Sequence, residues 1–170
     1  MHVLITGAPG VGKSTLIRRV LAELNRPVFG FETKKETALA DGEKGSPVYI
    51  YEVGKERRQS EENLAGWCEK RQNEVYKEVF DRYASKLRAP IPKGGIIVMD
   101  EIGTMESVSE EFRTAVMALL DGDVPVIAAV KHKDTPFLHG VRNHPKGICF
   151  HLTEENREEL YGEVLAALEQ

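Results

Sequence analysis

The chain opens on a short apolar run, Val3–Thr6, with the continuity expected of a strand buried on both faces. From Gly12 the period changes. Ile17, Val20, Leu21 and Leu24 recur at i, i+3, i+4 and i+7, which predicts an amphipathic helix. Pro27–Phe31 reads as the next strand. Asp41-Gly42 marks a turn, and the β-rich stretch Val48–Val53 behind it predicts an antiparallel hairpin. Tyr76, Val79, Phe80, Tyr83 and Leu87 share one face of a helix that stops before Pro90. Gly95–Met99, Pro125–Val130 and Ile148–Leu152 predict three more buried strands. Ser107-x-x-Glu110 has the capping-box pattern ahead of a helix whose inner face is Phe112, Ala115, Val116 and Leu119. Thr153 caps a last helix carrying Leu160, Val164 and Leu168. The alternation predicts an α/β fold: a mostly parallel sheet flanked by helices, with an antiparallel hairpin added.

One segment breaks the pattern. Glu52–Gln72 carries ten charged residues in twenty-one and little periodic apolar content. It reads either as a mobile excursion over the active site or as a solvated insertion.

The 170 residues fit one domain, 1–170. A chain of this length buries roughly two-thirds or more of its unfolded surface, enough for a core without staples. With 23 basic and 27 acidic side chains the net charge is −4, which excludes a strongly basic surface that coats nucleic acid. Cys68 and Cys149 are too few for a disulfide framework or a paired-cysteine metal site. No apolar run approaches the ~20 residues that span a bilayer, and Val3–Ile5 is too short for a signal peptide. The expectation is a cytoplasmic protein without a membrane partner; the pattern specifies no oligomeric state.

Candidate chemistry begins at the first strand–helix junction. Gly7-Ala8-Pro9-Gly10-Val11-Gly12-Lys13-Ser14 fits G-x-x-x-x-G-K-[ST] in full, with Thr15 following. Glycines let the backbone curl so that successive N–H groups form a nest for phosphate oxygens. The helix starting there adds the positive end of its dipole. Lys13 would meet the β- and γ-phosphates, and the Ser14 hydroxyl would bind Mg²⁺. From average residue usage, chance supplies the four fixed positions in roughly one of 200 such chains.

Gly95–Asp100 supplies the expected partner, an apolar strand ending in a carboxylate at the sheet edge where open α/β sheets bind ligands. Asp100 would hold Mg²⁺, and Glu101 would accept a proton from an attacking water. Glu106 is a weaker candidate, with stabilisation of a helix N-terminus as its competing role. Lys131 and His132 follow the Pro125–Val130 strand and would stand near the γ-phosphate if that strand is parallel. Arg142 would offset charge on a transferring phosphoryl. Asn156 and Arg157 open the last helix, where an amide bonds a base edge and a guanidinium stacks on it. Exposed loop positions and surface ion pairs account equally well for Lys131, His132 and Arg142.

Four stretches together resemble the small P-loop nucleoside-triphosphatases of the thermophile-type and cancer-related family. They are Val3–Ser14; Gly30-Phe31-Glu32-Thr33; Asp100-Glu-Ile-Gly-Thr-Met-Glu106; and Leu152-Thr-Glu-Glu-Asn156-Arg157 ahead of Leu160. The resemblance runs end to end, and the Asp100–Glu106 run is its most specific part. It implies a P-loop NTPase fold and Mg²⁺-dependent hydrolysis of nucleoside triphosphates to the diphosphate with loose base selectivity. It also implies the base role for Glu101 and nucleotide contacts at Asn156 and Arg157. Gly54–Gln72 departs from it, being charged where such proteins carry a glycine-aromatic, β-type stretch.

Two other functions use the same loop and metal. A kinase would pass the γ-phosphoryl to an acceptor, with Glu52–Gln72 as lid and Arg57, Arg58 and Arg71 as phosphate clamps. A nucleotide-dependent binding switch would have a partner as its output. Asp100-x-x-Gly103 has the spacing of GTPases, but Lys131-His132-Lys133-Asp134 lacks the lysine that stacks on guanine. Guanine specificity is therefore not expected.

Overall fold

A computed structural model describes residues 1–68 and 74–170. Arg71, and the end of the charged segment with it, lies outside the described residues. Among these, eight strands form one sheet in the order β5 (Glu74–Val75), β4 (Leu64–Cys68), β3 (Ser46–Glu52), β2 (Val28–Lys35), β6 (Ile96–Ile102), β7 (Val126–Val130), β1 (His2–Gly7), β8 (Gly147–Leu152). The parallel part consists of β1, β2, β6, β7 and β8. The antiparallel extension consists of β3, β4 and β5.

The alternation of side chains along each strand sorts the core into two layers. Val3, Ile5, Ile96, Val98, Ile127 and Ala129 face α1 (Lys13–Leu24) and α5 (Arg157–Glu169), which contribute Ile17, Val20, Leu160 and Val164. Leu4, Phe31, Ile97, Met99 and Ala128 face the opposite way, toward α2 (Lys77–Leu87), α3 (Glu110–Asp121) and α4 (Pro136–Arg142). Phe112 of α3 stands edge-on to Phe31 at 5.0 Å and to Phe80 at 5.3 Å, tying both helices to β2. Gly30 lets β2 lie flush against β6, since any Cβ there would sit 1.9 Å from the Val98 carbonyl oxygen.

Several expectations from the sequence are corrected. The charged segment is not all excursion, because Leu64–Cys68 within it pairs antiparallel with β3. Three consecutive small or apolar residues, Leu64-Ala65-Gly66, were enough once a sheet edge was available. The run at 147–152 is an edge strand with Ile148 and Cys149 exposed, since only β1 pairs with it. On α3 the cap is Ser109, whose Oγ accepts from the Phe112 N–H at 3.1 Å, and not Ser107. Ser107 instead donates to the Gly103 carbonyl at 2.5 Å. On α3 Leu120 is the fully buried leucine, while Leu119 is partly buried and packs against the same core. Helix α5 starts at Arg157 with Asn156 in the cap position, and Thr153 acts one turn earlier by accepting the Asn156 N–H at 3.3 Å.

Candidate functional site

Strand β1 leads into a loop over residues 8–12 and then α1, whose cap residue Gly12 has φ +107°, a left-handed conformation suited to glycine. No acidic side chain stands in the first turn of α1. Its leading N–H groups and dipole therefore face the loop without a competing carboxylate. Lys13 folds back across the loop, donating to the Gly7 carbonyl at 2.9 Å. Its ammonium also lies 3.4 Å from Glu101 Oε2. The phosphate loop and the second carboxylate of β6 thus meet at one cation.

Asp100 and Glu101 lie within β6, which runs three residues beyond the apolar stretch before it ends. Asp100 is in register with Glu32 of β2 and Ala129 of β7. Burial pushes its carboxyl above the ordinary range; the Ser14 hydroxyl hydrogen bond pulls it back, and the nearby Glu101 and Glu32 charges push it up again. A desolvated carboxylate crowded by two others is a place where a cation is favoured. Glu32 is itself paired with Arg57.

Glu106 is 5% exposed and so almost fully withdrawn from water. Its Oε1 accepts from the Thr33 hydroxyl at 2.6 Å and its Oε2 from the Gly103 N–H at 3.0 Å. Burial pushes its carboxyl up to about 7 against the pull of these two donors, with the Glu101 charge adding to the rise. A Cβ placed on Gly103 would lie 3.3 Å from Glu106 Oε2, 3.5 Å from Lys131 Cδ and 3.6 Å from Glu101 Oε1, so three charged side chains converge there.

The remaining candidates are placed differently. Arg142 donates through Nη1 to the carbonyls of Lys131 and Lys133, both at 2.9 Å, and so fixes the loop that carries Lys131. His132 stands edge-on to His151 at 6.5 Å; His151 Nδ1 is 3.2 Å from the Thr6 hydroxyl. Asn156 turns its amide inward, accepting from the Thr153 N–H at 2.7 Å and donating to the His151 carbonyl at 2.8 Å. Arg157 donates to the Val11 carbonyl at 2.8 Å and braces the phosphate loop. Thr33 and Glu32 were not singled out as site residues by the sequence, and Arg57 only as a phosphate clamp in the kinase alternative, whereas here it pairs with Glu32. The signal for the first two was their place in the Gly30–Thr33 stretch, and for Arg57 its place in the charged segment. A cavity of about 1280 Å³ lies apart, between α2, β3 and β4, and its lining includes no phosphate-loop residue. No helix among the described residues is long and apolar enough to cross a membrane.

This geometry accords with what the chain is similar to. The nucleoside-triphosphatase THEP1 of Thermotoga maritima is 33% identical over 172 residues, covering 99% of this chain and 95% of that protein. The crystal structure of THEP1 from Aquifex aeolicus superposes with a TM-score of 0.75 at 26% identity, covering 100% of both chains. The solution structure of a human cancer-related nucleoside triphosphatase gives 0.67 at 28% identity, over 99% of this chain and 97% of that one. Residues 2–165 match the sequence profile of the NTPase family. With that match across nearly its whole length, the chain belongs to the NTPase family, and its fold is that of the P-loop NTPases.

Proposed function

We propose that the protein hydrolyses nucleoside triphosphates to the diphosphate and phosphate, with Mg²⁺ as cofactor. The observation that carries this reading is the Lys13–Glu101 contact at 3.4 Å beside a phosphate loop whose serine bonds Asp100. The N–H groups of Gly10, Gly12 and Lys13 and the start of α1 would take the β- and γ-phosphates. Lys13 would then exchange Glu101 for phosphate oxygens, leaving the Glu101 carboxylate free to accept a proton from water. Family membership and the names of the relatives support hydrolysis as the outcome.

Ser14 and Asp100 are the residues that would hold Mg²⁺. No group of three or more His, Cys, Asp or Glu stands ready for a metal among the described residues. An ion held by that one carboxylate and one hydroxyl would take water and substrate phosphates as its remaining ligands. When bound there it would supply positive charge that offsets the charge developing on the triphosphate. A cytoplasmic setting, which supplies both nucleotide and Mg²⁺, belongs to the same reading.

The deciding experiment incubates the protein with ATP and Mg²⁺, with and without a pool of nucleosides and nucleoside monophosphates. Free phosphate released at the same rate in both is the expected result. A phosphorylated acceptor formed at the expense of phosphate would replace hydrolysis by transfer.

A further inference from the structure

Glu106 does not touch the phosphate loop, yet it is the most deeply buried carboxylate beside it. Its neighbours make a continuous chain of hydrogen bonds with a fixed polarity. The Glu101 N–H donates to Thr33 Oγ1 at 3.4 Å, the Thr33 hydroxyl donates to Glu106 Oε1 at 2.6 Å, and the Gly103 N–H donates to Glu106 Oε2 at 3.0 Å. Ser107 closes the same turn by holding the Gly103 carbonyl, and Arg113 in turn holds the Ser107 carbonyl. Both sides of the backbone leaving Glu101 are therefore anchored on one carboxylate.

We propose that Glu106, acting through Thr33 and the Gly103 N–H, is the positioning residue that aims the Glu101 carboxylate at the attacking water. This rests on the hydrolytic reading above. The chemistry of the chain explains why a carboxylate is required. An ionised carboxylate only accepts, so the Thr33 hydrogen points at Glu106 and a lone pair remains for the Glu101 N–H. An amide in the same place offers one oxygen and one NH₂. With its oxygen on the Gly103 N–H, its NH₂ would donate to the Thr33 oxygen beside the Glu101 N–H, filling both lone pairs and leaving the Thr33 hydrogen without its carboxylate acceptor. The order of donors reverses while side-chain volume is unchanged. Burial, which lifts the Glu106 carboxyl to about 7, also means that the group exerts its hold as an acceptor on the alkaline side of neutrality.

The test compares Glu101→Gln with Glu106→Gln, Thr33→Val and Thr33→Ser, the last three each alone and combined with Glu101→Gln, at about pH 8 where Glu106 is ionised. Single-turnover hydrolysis gives the rate, and direct titration with Mg²⁺·ATP gives the affinity. Glu106→Gln and Thr33→Val are each expected to lower kcat by about tenfold or more with affinity within about threefold, because misaiming costs rate and not ground-state binding. Thr33→Ser, which keeps the hydroxyl, restores most of the rate. In the Glu101→Gln background neither substitution lowers kcat further, since both act through the group already removed. A merely structural role would not produce that masking.

Parental kcat in both single variants overturns the proposal. So does an equal loss in the Glu101→Gln background, a loss confined to affinity, or no recovery in Thr33→Ser. If Glu106→Gln does not fold by circular dichroism, the Thr33 pair with and without Glu101→Gln decides alone. Failure of the hydrolytic reading looks different: no phosphate from any nucleoside triphosphate, or parental kcat in Glu101→Gln, and either takes this proposal with it.

Discussion

Lys13 and Glu101 form a partly buried ion pair at 3.4 Å in which each partner has a second task. The pair predicts how two substitutions separate. Lys13→Ala removes the charge that would meet the phosphates in the proposed reaction and should weaken Mg²⁺·nucleotide binding as well as turnover. Glu101→Gln keeps size and most hydrogen bonding but cannot accept a proton. It should lower kcat by at least about a hundredfold, within the range of general-base assistance, while Mg²⁺·ATP still binds. Single-turnover rates beside a binding titration distinguish the two, and equal losses of rate and affinity in Glu101→Gln would reassign it to metal or structure. Glu106 gives a second prediction, in stability. Its folded carboxyl lies at about 7 against an ordinary 4.5, so ionising it costs the folded state more than the unfolded one. The stability tied to its protonated form is complete below 4.5 and is lost as pH rises through 7. Urea unfolding at a series of pH values should show the parent losing up to about 3 kcal/mol across that window relative to Glu106→Gln. A parallel pH dependence in the two proteins would exclude it.

Helix α3 shows how an element is fixed to the site it supports. Ser109 accepts the Phe112 N–H and also donates to Asp81 of α2, so one hydroxyl caps α3 and ties it to its neighbour. The Lys77 ammonium and this hydroxyl hold the Asp81 carboxyl below its usual range. Three residues on, Phe112 is wholly buried between Phe31 and Phe80. Ser109→Ala should cost about 1 kcal/mol, the value of a lost helix cap. Phe112→Ala should cost about 3–5 kcal/mol through lost burial and the cavity left behind. Chemical denaturation ranks them, and a Ser109→Ala loss as large as that of Phe112→Ala would mean the cap is not an independent device. Ser107→Ala, by contrast, should leave α3 intact and disturb only the turn at Gly103, because its hydroxyl bonds that carbonyl and no helical N–H.

Across the whole molecule, β1, β6 and β7 bring their carboxyl ends to one edge, with β2 alongside. Gly7, Asp100, Val130 and Thr33 stand along it. The groups proposed to bind phosphate and metal are therefore placed by the sheet. Base recognition lacks a guanine-reading motif, and the amide of Asn156 is already committed to Thr153 and His151. ATP and GTP should be hydrolysed within about tenfold of each other, a barrier difference of about 1.4 kcal/mol. Initial rates with each nucleotide test this, and a thousandfold preference would point to a dedicated pocket.

The sequence by itself determined what local periodicity and spacing can carry. The apolar runs of β1, β6 and β7, the phosphate-loop pattern and the carboxylates at the end of β6 are all contiguous, so their chemistry is legible in one dimension. Tertiary structure decided whatever depends on a partner far along the chain. Leu64–Cys68 became a strand because β3 offered an unpaired edge, and the 147–152 run became an exposed edge because only β1 flanks it. Which serine caps α3 was set by where Phe112 had to pack, two residues past the motif that suggested Ser107. Thr33 and Glu106, separated by 73 positions, meet only because β2 lies beside β6. A hydrogen bond between distant residues leaves no period in the sequence, because its geometry exists only after the strands have paired.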